Sequence, residues 1–267
     1  MQQSIVVNKT NITGVMHHTH SQQFYELRRY VPSDELAHLV EQFWIVDWAL
    51  PKGKFHVQHN LPDPNLHLVL DNNTLSLLGP ISKSYKYTMR GAGRVIGVKF
   101  ALAANLSKHG IAPHQCVDKR ILAREKFAFA AQLTQQLIDA DDDNSIVNAL
   151  RDAVKPLCLE RTEAQLSIQQ LVAIIKNTPE VTQVEQLSQR CGMSIRTLQR
   201  HFKAHIGLSP KWLIRKYRMH QVLALLESQT KSLTEVAMWL GYTDQAHFIK
   251  DFKHFTGVTP AAYSHEC

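Results

Sequence analysis

The sequence predicts an α+β fold in two domains. Residues 1–162 are expected to form a β-rich small barrel or sandwich with trailing helices, and residues 163–267 an all-α domain. Two observations predict this division. Short apolar runs separated by turn residues fill residues 43–100, whereas the chain after residue 165 shows helical periodicity and an internal repeat. The length of 267 residues agrees with two domains of roughly 100–200 residues each.

The β-strands are predicted from apolar runs bounded by Gly, Pro, Asn and Asp, the residues that favour turns. The short, regular spacing of these runs favours a barrel or sandwich over alternating strands and helices. The predicted strands are Phe43–Val46, Leu66–Leu70, Thr74–Leu78 and Val95–Phe100.

The pattern becomes helical after residue 100. Residues Ala101–Ile138 are predicted to be mostly helical, with a break between Gly110 and Pro113, and Ser145–Leu159 to form a further helix. The acidic segment Asp139–Asp143 is interpreted as a solvated connection. The polar stretch Glu160–Gln165 marks the predicted domain boundary.

Charge and composition narrow the class of protein. The net charge is +7, and residues 165–267 carry +5 of it, which indicates a polyanionic partner. No apolar run approaches the roughly 18 residues of a transmembrane helix, and no secretory signal opens the chain. The four cysteines show no CxxC spacing, so we expect reduced thiols. We therefore expect a cytoplasmic protein that does not associate with membranes.

The most informative feature is the internal repeat. One copy starts at Val184 and the other at Leu233; the offset between them is 49 residues at first and 50 further on. Each copy has a small residue where two helices would cross, a glycine that can take a positive φ, and a Ser or Thr suited to cap the next helix. This order predicts two helix-turn-helix units, over about residues 182–206 and 232–256. The matching pairs are Ser188 and Ala237, Gly192 and Gly241, Ser194 and Thr243, Gly207 and Gly257, and Pro210 and Pro260.

The second helix of each unit has two different faces. One face is apolar at helical spacing and is predicted to be buried. The other carries basic and amide groups; Arg and Gln can read guanine and adenine edges, while Lys mainly meets phosphate. The buried stripes are Leu198, Phe202 and Ile206 in the first unit and Phe248, Phe252 and Phe255 in the second.

Two further helix starts follow from capping patterns. Thr182-x-x-Glu185 is a capping-box sequence that would open the first helix of the first unit. Ser209-Pro210 would open a long connector helix over Lys211–Glu227. Two units on one rigid connector could place their second helices in successive major grooves, about 34 Å apart.

The C-terminal region, over roughly residues 165–267, resembles the AraC/XylS family of bacterial transcription regulators. The resemblance rests on LSQRCGMSIRTLQRHFK, GLSPKWLIRKYRM and EVAMWLGYTDQAHFIKDFKHFTGVTPAAY. It implies that the second helix of each unit is a recognition helix bound to double-stranded DNA. Ala246 and Ile249 depart from the polar residues common in the family, which weakens hydrogen-bond readout by the second unit. The implied base-contact candidates are Arg196, Gln199, Arg200, Gln245, Ala246, Ile249 and Lys250, and the phosphate-contact candidates are Ser194, Lys203, Thr243 and Lys253.

The N-terminal part resembles a less-studied AraC-like group through RRYVPSDELAHLVEQFW, LPDPNLHLVL, LLGP and RVIGVKF. This resemblance implies a β-rich regulatory domain with no known ligand. For the whole protein we expect RNA polymerase and an unknown small-molecule effector or dimer partner as further partners. Aromatic residues in a β-rich domain either build the core or line an apolar pocket. The candidates for an effector pocket are Trp44, Trp48, Phe55, Tyr85 and Tyr87.

Two other classes of function are compatible with parts of the sequence. An enzyme or a thiol- or metal-dependent repair or sensor protein fused to a DNA anchor would need clustered ligands, but the histidines of residues 16–20 and at His56, His59 and His67 are scattered. Cys191 is interpreted as a packing residue, since only Arg190 beside it is basic. A non-specific architectural binder would carry uniform Lys-rich charge. We therefore expect no enzyme, no metal and no cofactor.

Overall fold

The computed structural model describes residues 23–227, Glu235 and residues 245–266. Its N-terminal part contains a six-stranded antiparallel sheet in the order β1-β2-β7-β4-β5-β8, and a separate two-stranded hairpin, β3-β6. The strands are β1 Glu26–Tyr30, β2 Val40–Ala49, β3 Phe55–Asn60, β4 His67–Asp71, β5 Thr74–Leu78, β6 Tyr85–Arg90, β7 Ala92–Phe100 and β8 Arg120–Leu122.

The two faces of the six-stranded sheet pack against different partners. Because side chains alternate along a strand, Phe43 and Ile45 of β2 point into the main core, which also contains apolar side chains of the helices over residues 130–154. Trp44 and Val46 lie on the opposite face and, with Tyr85 of the hairpin, line a cavity between the sheet and the hairpin. The predicted sandwich is confirmed, and the sheet does not close into a barrel.

The predicted strands match the observed ones closely. Thr74–Leu78 is reproduced residue for residue, and the other three predicted strands lie within β2, β4 and β7 to within one residue. The turn between β4 and β5 contains Asn72 and Asn73 at φ values of 47° and 57°, a left-handed conformation that Asn tolerates.

The predicted helical region over Ala101–Ile138 is mostly wrong. Only α1, Pro113–Cys116, and α2, Ala130–Ile138, are α-helical there; β8 and short 3-10 turns occupy much of the rest. Ala103 and Asp118 take φ values of 64° and 56°, which an α-helix cannot contain. The pairing of β8 with β5 thus overrides local helix propensity.

The acidic segment Asp139–Asp143 does more than connect two helices. The Asp142 side chain accepts a hydrogen bond of 2.8 Å from the Ser145 N–H and caps α3, Asp143–Val154. Asp143 forms an ion pair with Arg28 of β1 at 2.5 Å and accepts a hydrogen bond from the Tyr30 hydroxyl. The segment therefore ties α3 to the edge of the sheet.

The C-terminal part is helical and has its own core, in which Ile168, Leu171, Leu187 and Leu213 are buried. A chain segment around residues 158–163 leads from the first core to the second. The helices are α4 Glu163–Asn177, α5 Val184–Cys191, α6 Ile195–His205, α7 Pro210–Glu227, α8 Gln245–Thr256 and α9 Pro260–Glu266.

The cap of α5 lies one residue away from its predicted position. The Gln186 side chain, not that of Glu185, accepts hydrogen bonds from the N–H groups of Thr182 and Gln183, at 2.7 and 3.0 Å. The helix then begins at Val184. The predicted box was offset because both Glu185 and Gln186 can serve as the third helical residue of a capping box.

Direct contacts join the two parts of the chain. The Trp212 indole at the start of α7 donates a hydrogen bond of 2.9 Å to the Ser82 carbonyl, and the Gln165 amide of α4 donates one of 2.9 Å to the Ala103 carbonyl. Leu61 and Ala103, from the N-terminal part, belong to the C-terminal core. The helices are therefore docked on the β-rich part through packing and polar contacts.

Candidate nucleic-acid interface and effector cavity

The cavity between the six-stranded sheet and the β3-β6 hairpin has a volume of about 380 Å³. Of the five aromatic residues predicted to line a pocket, Trp44, Tyr85 and Tyr87 do so. Trp48 and Phe55 lie outside the lining; the Trp48 indole donates to the Arg90 carbonyl at 3.2 Å, and the Phe55 ring lies under the Arg90 guanidinium.

Charged side chains also line the cavity, among them Asp63 and Lys99. The Lys99 ammonium lies 2.9 Å from Asp63 and 3.0 Å from Glu41. Burial acts to lower the pKa of Lys99, but these two carboxylates raise it above its usual value. Burial acts to raise the pKa of Asp63, but Lys99, Lys216 and His67 together hold it well below its usual range. Asp63 is therefore ionised, and one of the charges that keeps it so lies on α7.

Two residues of α7 place ionisable groups in this buried region. Lys216 is only 7% exposed, and burial lowers the pKa of its ammonium because the attraction of Asp63 does not fully compensate. Burial, with the nearby charge of Lys216, lowers the pKa of His220 to about 3, so its ring is neutral. Sequence reasoning missed this cluster, which joins the wall of the cavity to the connector helix.

The turn of the first helix-turn-helix unit has the predicted geometry. Gly192 takes a φ of 68°, the left-handed conformation expected after the first helix. The Ser194 hydroxyl then accepts a hydrogen bond of 3.1 Å from the Thr197 N–H and caps α6. Ser188, predicted only as a small residue at a helix crossing, also donates a 2.5 Å hydrogen bond to the Met193 carbonyl and fastens the turn.

The two faces of α6 are arranged as predicted. Leu198, Phe202 and Ile206 are at most 1% exposed. The opposite face has four exposed side chains without a hydrogen-bond or ion-pair partner among the described residues: Arg196, Gln199, Arg200 and Lys203. A rigid helix thus presents two guanidiniums, an amide and an ammonium to a partner.

The second unit is described in part. Phe248, Phe252 and Phe255 of α8 are buried as predicted. Gln245 is the first residue of α8, but its side chain, with Thr243, Ala237 and Gly241, falls outside the described part of the chain. Exposed on the outer face are Ala246, His247, Ile249, Lys250 and Lys253.

A buried ion pair fixes α8 against α7, and sequence reasoning missed it. Asp251 is 4% exposed, and its carboxylate accepts a two-pronged contact from Arg215, one bond of which is 2.9 Å. The Arg215 guanidinium also lies 5.5 Å from the centre of the Phe255 ring. The signal in the sequence was an acidic residue placed among the apolar positions of the second recognition helix.

Both recognition helices end in the same way. Gly207 and Gly257 take φ values of 86° and 81°. The hydroxyls of Ser209 and Thr259 then cap the following helices by accepting from the N–H groups of Trp212 and Ala262 at 3.1 and 3.3 Å. The structure therefore repeats where the sequence does.

Residues 187–266 match a family model described as a helix-turn-helix domain. Residues 28–121 match one described as a domain of unknown function (DUF6597). An uncharacterized HTH-type transcriptional regulator of Haemophilus influenzae is 29% identical over 49% of this chain and 45% of its own length. The HTH-type transcriptional activator RhaS of Escherichia fergusonii is 31% identical over 38% of this chain and 36% of its own. Over residues 187–266 the chain is thus similar to the AraC-type helix-turn-helix domains of transcription regulators.

The chain spans less than half the length of these two relatives. Among solved structures, the C-terminal domain of AraT, a response regulator from Geobacillus stearothermophilus, is 25% identical, with coverage of 40% of this chain and 87% of that one and a TM-score of 0.35.

The structure also places some of the candidate metal ligands and the candidate thiol among the described residues. Within residues 23–227, Glu235 and residues 245–266, no three His, Cys, Asp or Glu side chains come close enough to hold a metal ion. His17, His18 and His20 lie outside this range. Cys191 is half-buried and packs against the C-terminal core. None of the described helices has the length and apolar character needed to cross a bilayer.

Proposed function

We propose that the protein is a sequence-specific DNA-binding transcription regulator, controlled by an effector that binds in the N-terminal cavity. The observation that carries the proposal is the outer face of α6. Two arginines and a glutamine stand exposed there without partners among the described residues, on a helix whose inner face is locked in the core. These side chains are the types that make bidentate contacts with guanine and adenine in the major groove.

In this proposal the first unit reads bases through Arg196, Gln199 and Arg200, while Ser194 and Lys203 hold phosphates. The second unit contributes fewer directional contacts, since Ala246 and Ile249 can offer only apolar contact with thymine methyls. Its remaining base and phosphate candidates are Gln245, Lys250, Thr243 and Lys253.

Effector control is supported by the position of the cavity. Asp63 and Lys99 line it, and the charge of Lys216 on α7 acts on both. Leu61 lines the cavity and also packs in the C-terminal core. A ligand that displaces these side chains therefore acts on the helix that connects the two recognition helices.

The wider role follows from this proposal. A regulatory domain over residues 1–162 would be followed by the DNA-binding domain over residues 163–267, acting in the cytoplasm on promoters with RNA polymerase. No catalytic step is assigned to the chain, and the proposal requires no cofactor.

Selection of binding sites from a random duplex DNA pool, with the full chain, tests the proposal. We expect an enriched sequence, with more information in the half-site beneath the first unit. Log affinity for the selected DNA should fall with log salt by about 0.9 per phosphate contact. A pool without enrichment, bound with the same salt dependence, would instead support a non-specific architectural protein.

A further inference from the structure

The walls of the N-terminal cavity are mainly apolar. Aliphatic side chains such as Leu27, Val46 and Val69 lie with the rings of Trp44, Tyr85 and Tyr87 around a volume of about 380 Å³. Small-molecule sites typically occupy about 300–1,000 Å³ and combine such walls with a few well-placed polar groups. The identity of those polar groups determines the class of ligand.

One polar group is a buried donor without an acceptor. The Trp44 indole lies across Gly97 of the neighbouring strand, where a Cβ atom would come within 2.3 Å of its ring. Its Nε1 atom is buried, and no hydrogen-bond partner for it exists among the described residues. A buried N–H that lacks a partner destabilises the folded chain, so a ligand with an acceptor at this point gains affinity.

The second polar group is the Arg29 guanidinium, directly opposite Trp44 in the register of β1 and β2. Opposed residues of an antiparallel pair share a face, and both residues line the cavity. A guanidinium has five N–H donors and no acceptor, so it can hold a carboxylate in addition to a partner that it already has. Burial lowers the pKa of Arg29 because the attraction of Glu41, Tyr25 and Asp63 does not fully compensate. An anion beside it would stabilise its charged form.

The carboxylates of the cavity are already engaged. Asp63 is paired with Lys99 at 2.9 Å, and Asp71 accepts a 2.9 Å hydrogen bond from the Tyr87 hydroxyl and lies 3.7 Å from Arg120. A cationic ligand would have to compete for these groups, whereas an anionic ligand meets two adjacent donors.

We propose that the cavity binds a small organic acid, a monocarboxylate with an apolar or aromatic body, whose carboxylate is held by Arg29 and by the indole N–H of Trp44. The inference rests on the proposed role of this cavity as the effector site. The apolar body lies against Tyr85, Tyr87 and the aliphatic wall.

Isothermal titration of the full chain at about pH 7.5 tests the class of ligand without any mutation. The probes are 3-phenylpropanoate and octanoate, their uncharged amides, 3-phenylpropylammonium, and a neutral hexose. We expect at least one acid to bind at least tenfold more tightly than its amide, the ammonium probe and the hexose. The assignment is overturned if neither acid binds, or if an amide, the cation or the hexose binds as well as the acids.

Two matched pairs of variants test the two donors. Trp44→Phe keeps an aromatic plane but removes the N–H and should weaken the acid several-fold, and Arg29→Met should weaken it more than tenfold. The controls are Trp48→Phe and Arg94→Met, since Trp48 lies across Gly93 in the same way, Arg94 pairs with Asp47, and neither lines the cavity. Equal affinity in Arg29→Met and the parent, with both folded by circular dichroism, also overturns the assignment.

The affinity for the selected DNA, measured with and without the acid, distinguishes the proposed ligand class from the proposed effector control. An acid that binds through Arg29 and Trp44 but leaves DNA affinity unchanged supports the ligand class and contradicts effector control. If the protein binds the selected DNA specifically but binds none of the acids, the proposed ligand class is wrong and the proposed DNA-binding role is unaffected.

Discussion

Arg200 is the residue for which the sharpest base-reading effect is expected. Its side chain is exposed on α6, with no hydrogen-bond or ion-pair partner among the described residues. If it makes a bidentate contact with a guanine, Arg200→Ala should cost about 1–3 kcal/mol of binding free energy and relax preference at one or two positions. Arg124→Ala, an exposed arginine of the N-terminal part, is the control. Binding-site selection with parent and variants measures the effect.

Lys250 is expected to behave differently, although it too is exposed on a recognition helix. Lys250→Ala should weaken binding to all sequences by similar amounts, as the loss of a phosphate contact does. If Arg200→Ala keeps the parent's sequence preference while Lys250→Ala loses preference in one half-site, the roles assigned to the two units would have to be exchanged.

His220 links stability to pH. The pKa of the His220 ring is about 3 in the folded chain and ordinarily 6.5. Between these two pH values the ring is therefore protonated in the unfolded chain but neutral in the folded chain. The stabilisation is complete above the unfolded pKa and is lost as the pH falls. Between pH 7.5 and 5.5 this residue should lower the free energy of unfolding by about 1.4 kcal/mol. His220→Gln should flatten the pH profile of urea unfolding by this amount, and a profile as steep as the parent's would contradict the prediction.

The buried and exposed faces of α6 could be predicted because their pattern is local. The inner and outer faces of α6 follow from a spacing of three and four residues within a single helix. Lys216, His220 and Asp251 could not be placed in the same way. Each is a charged or polar residue whose burial depends on a segment far away in the chain: Asp63 for the first two, and Arg215 of another helix for the third.

At the scale of elements, the Arg215–Asp251 pair fixes the orientation of the second recognition helix. Asp251→Asn would leave the half-buried Arg215 guanidinium without its counter-charge, and we expect a loss of about 2 kcal/mol in the free energy of unfolding. DNA preference under the second unit should decline while that under the first persists.

The double variant Arg215→Met/Asp251→Asn provides the comparison. This variant removes both charges and leaves no guanidinium without its counter-charge, so it should unfold at higher urea concentration than Asp251→Asn. Equal instability of the single and double variants would show that the charge pair does not account for the effect. A double-mutant cycle gives the coupling energy.

Elements were predictable where turn chemistry and strand patterning agree. The β4-β5 hairpin has three turn-forming residues, Asp71, Asn72 and Asn73, between two apolar runs, and its second strand was predicted to the residue. Residues 101–129 contain good helix formers, yet they wrap around the sheet edge. Their path depends on the pairing of β8 with β5, a tertiary contact that outweighs helix propensities of under about 1 kcal/mol per residue.

At the scale of the whole molecule, alanine substitutions at two glycines test how firmly the C-terminal helices pack against the N-terminal part. Gly192 and Gly207 both have left-handed φ angles, but a Cβ at Gly192 would meet open space, whereas one at Gly207 would lie 2.8 Å from the Pro113 carbonyl of the N-terminal part. Gly192→Ala should cost about 1–2 kcal/mol of stability through backbone strain alone. Gly207→Ala should cost about 1–3 kcal/mol more, because it also pushes the two parts apart. Equal losses in urea unfolding would show that this contact contributes nothing.

The ends of both helices, α6 and α8, rest on the N-terminal part, one on the short helix α1 and the other on the loop between β5 and β6. Gly207, after the first, abuts Pro113; Gly257, after the second, lies against Ser84, whose N–H donates to the His254 carbonyl at 3.4 Å. Segments outside the proposed DNA interface thus contact the ends of both proposed recognition helices and help to set their orientation. Insertions or deletions there would let a lineage move to operators of different helical phase while every DNA-facing residue stayed the same. If the proposed DNA-binding role holds, homologues with identical recognition helices should differ in operator preference where these supporting segments differ.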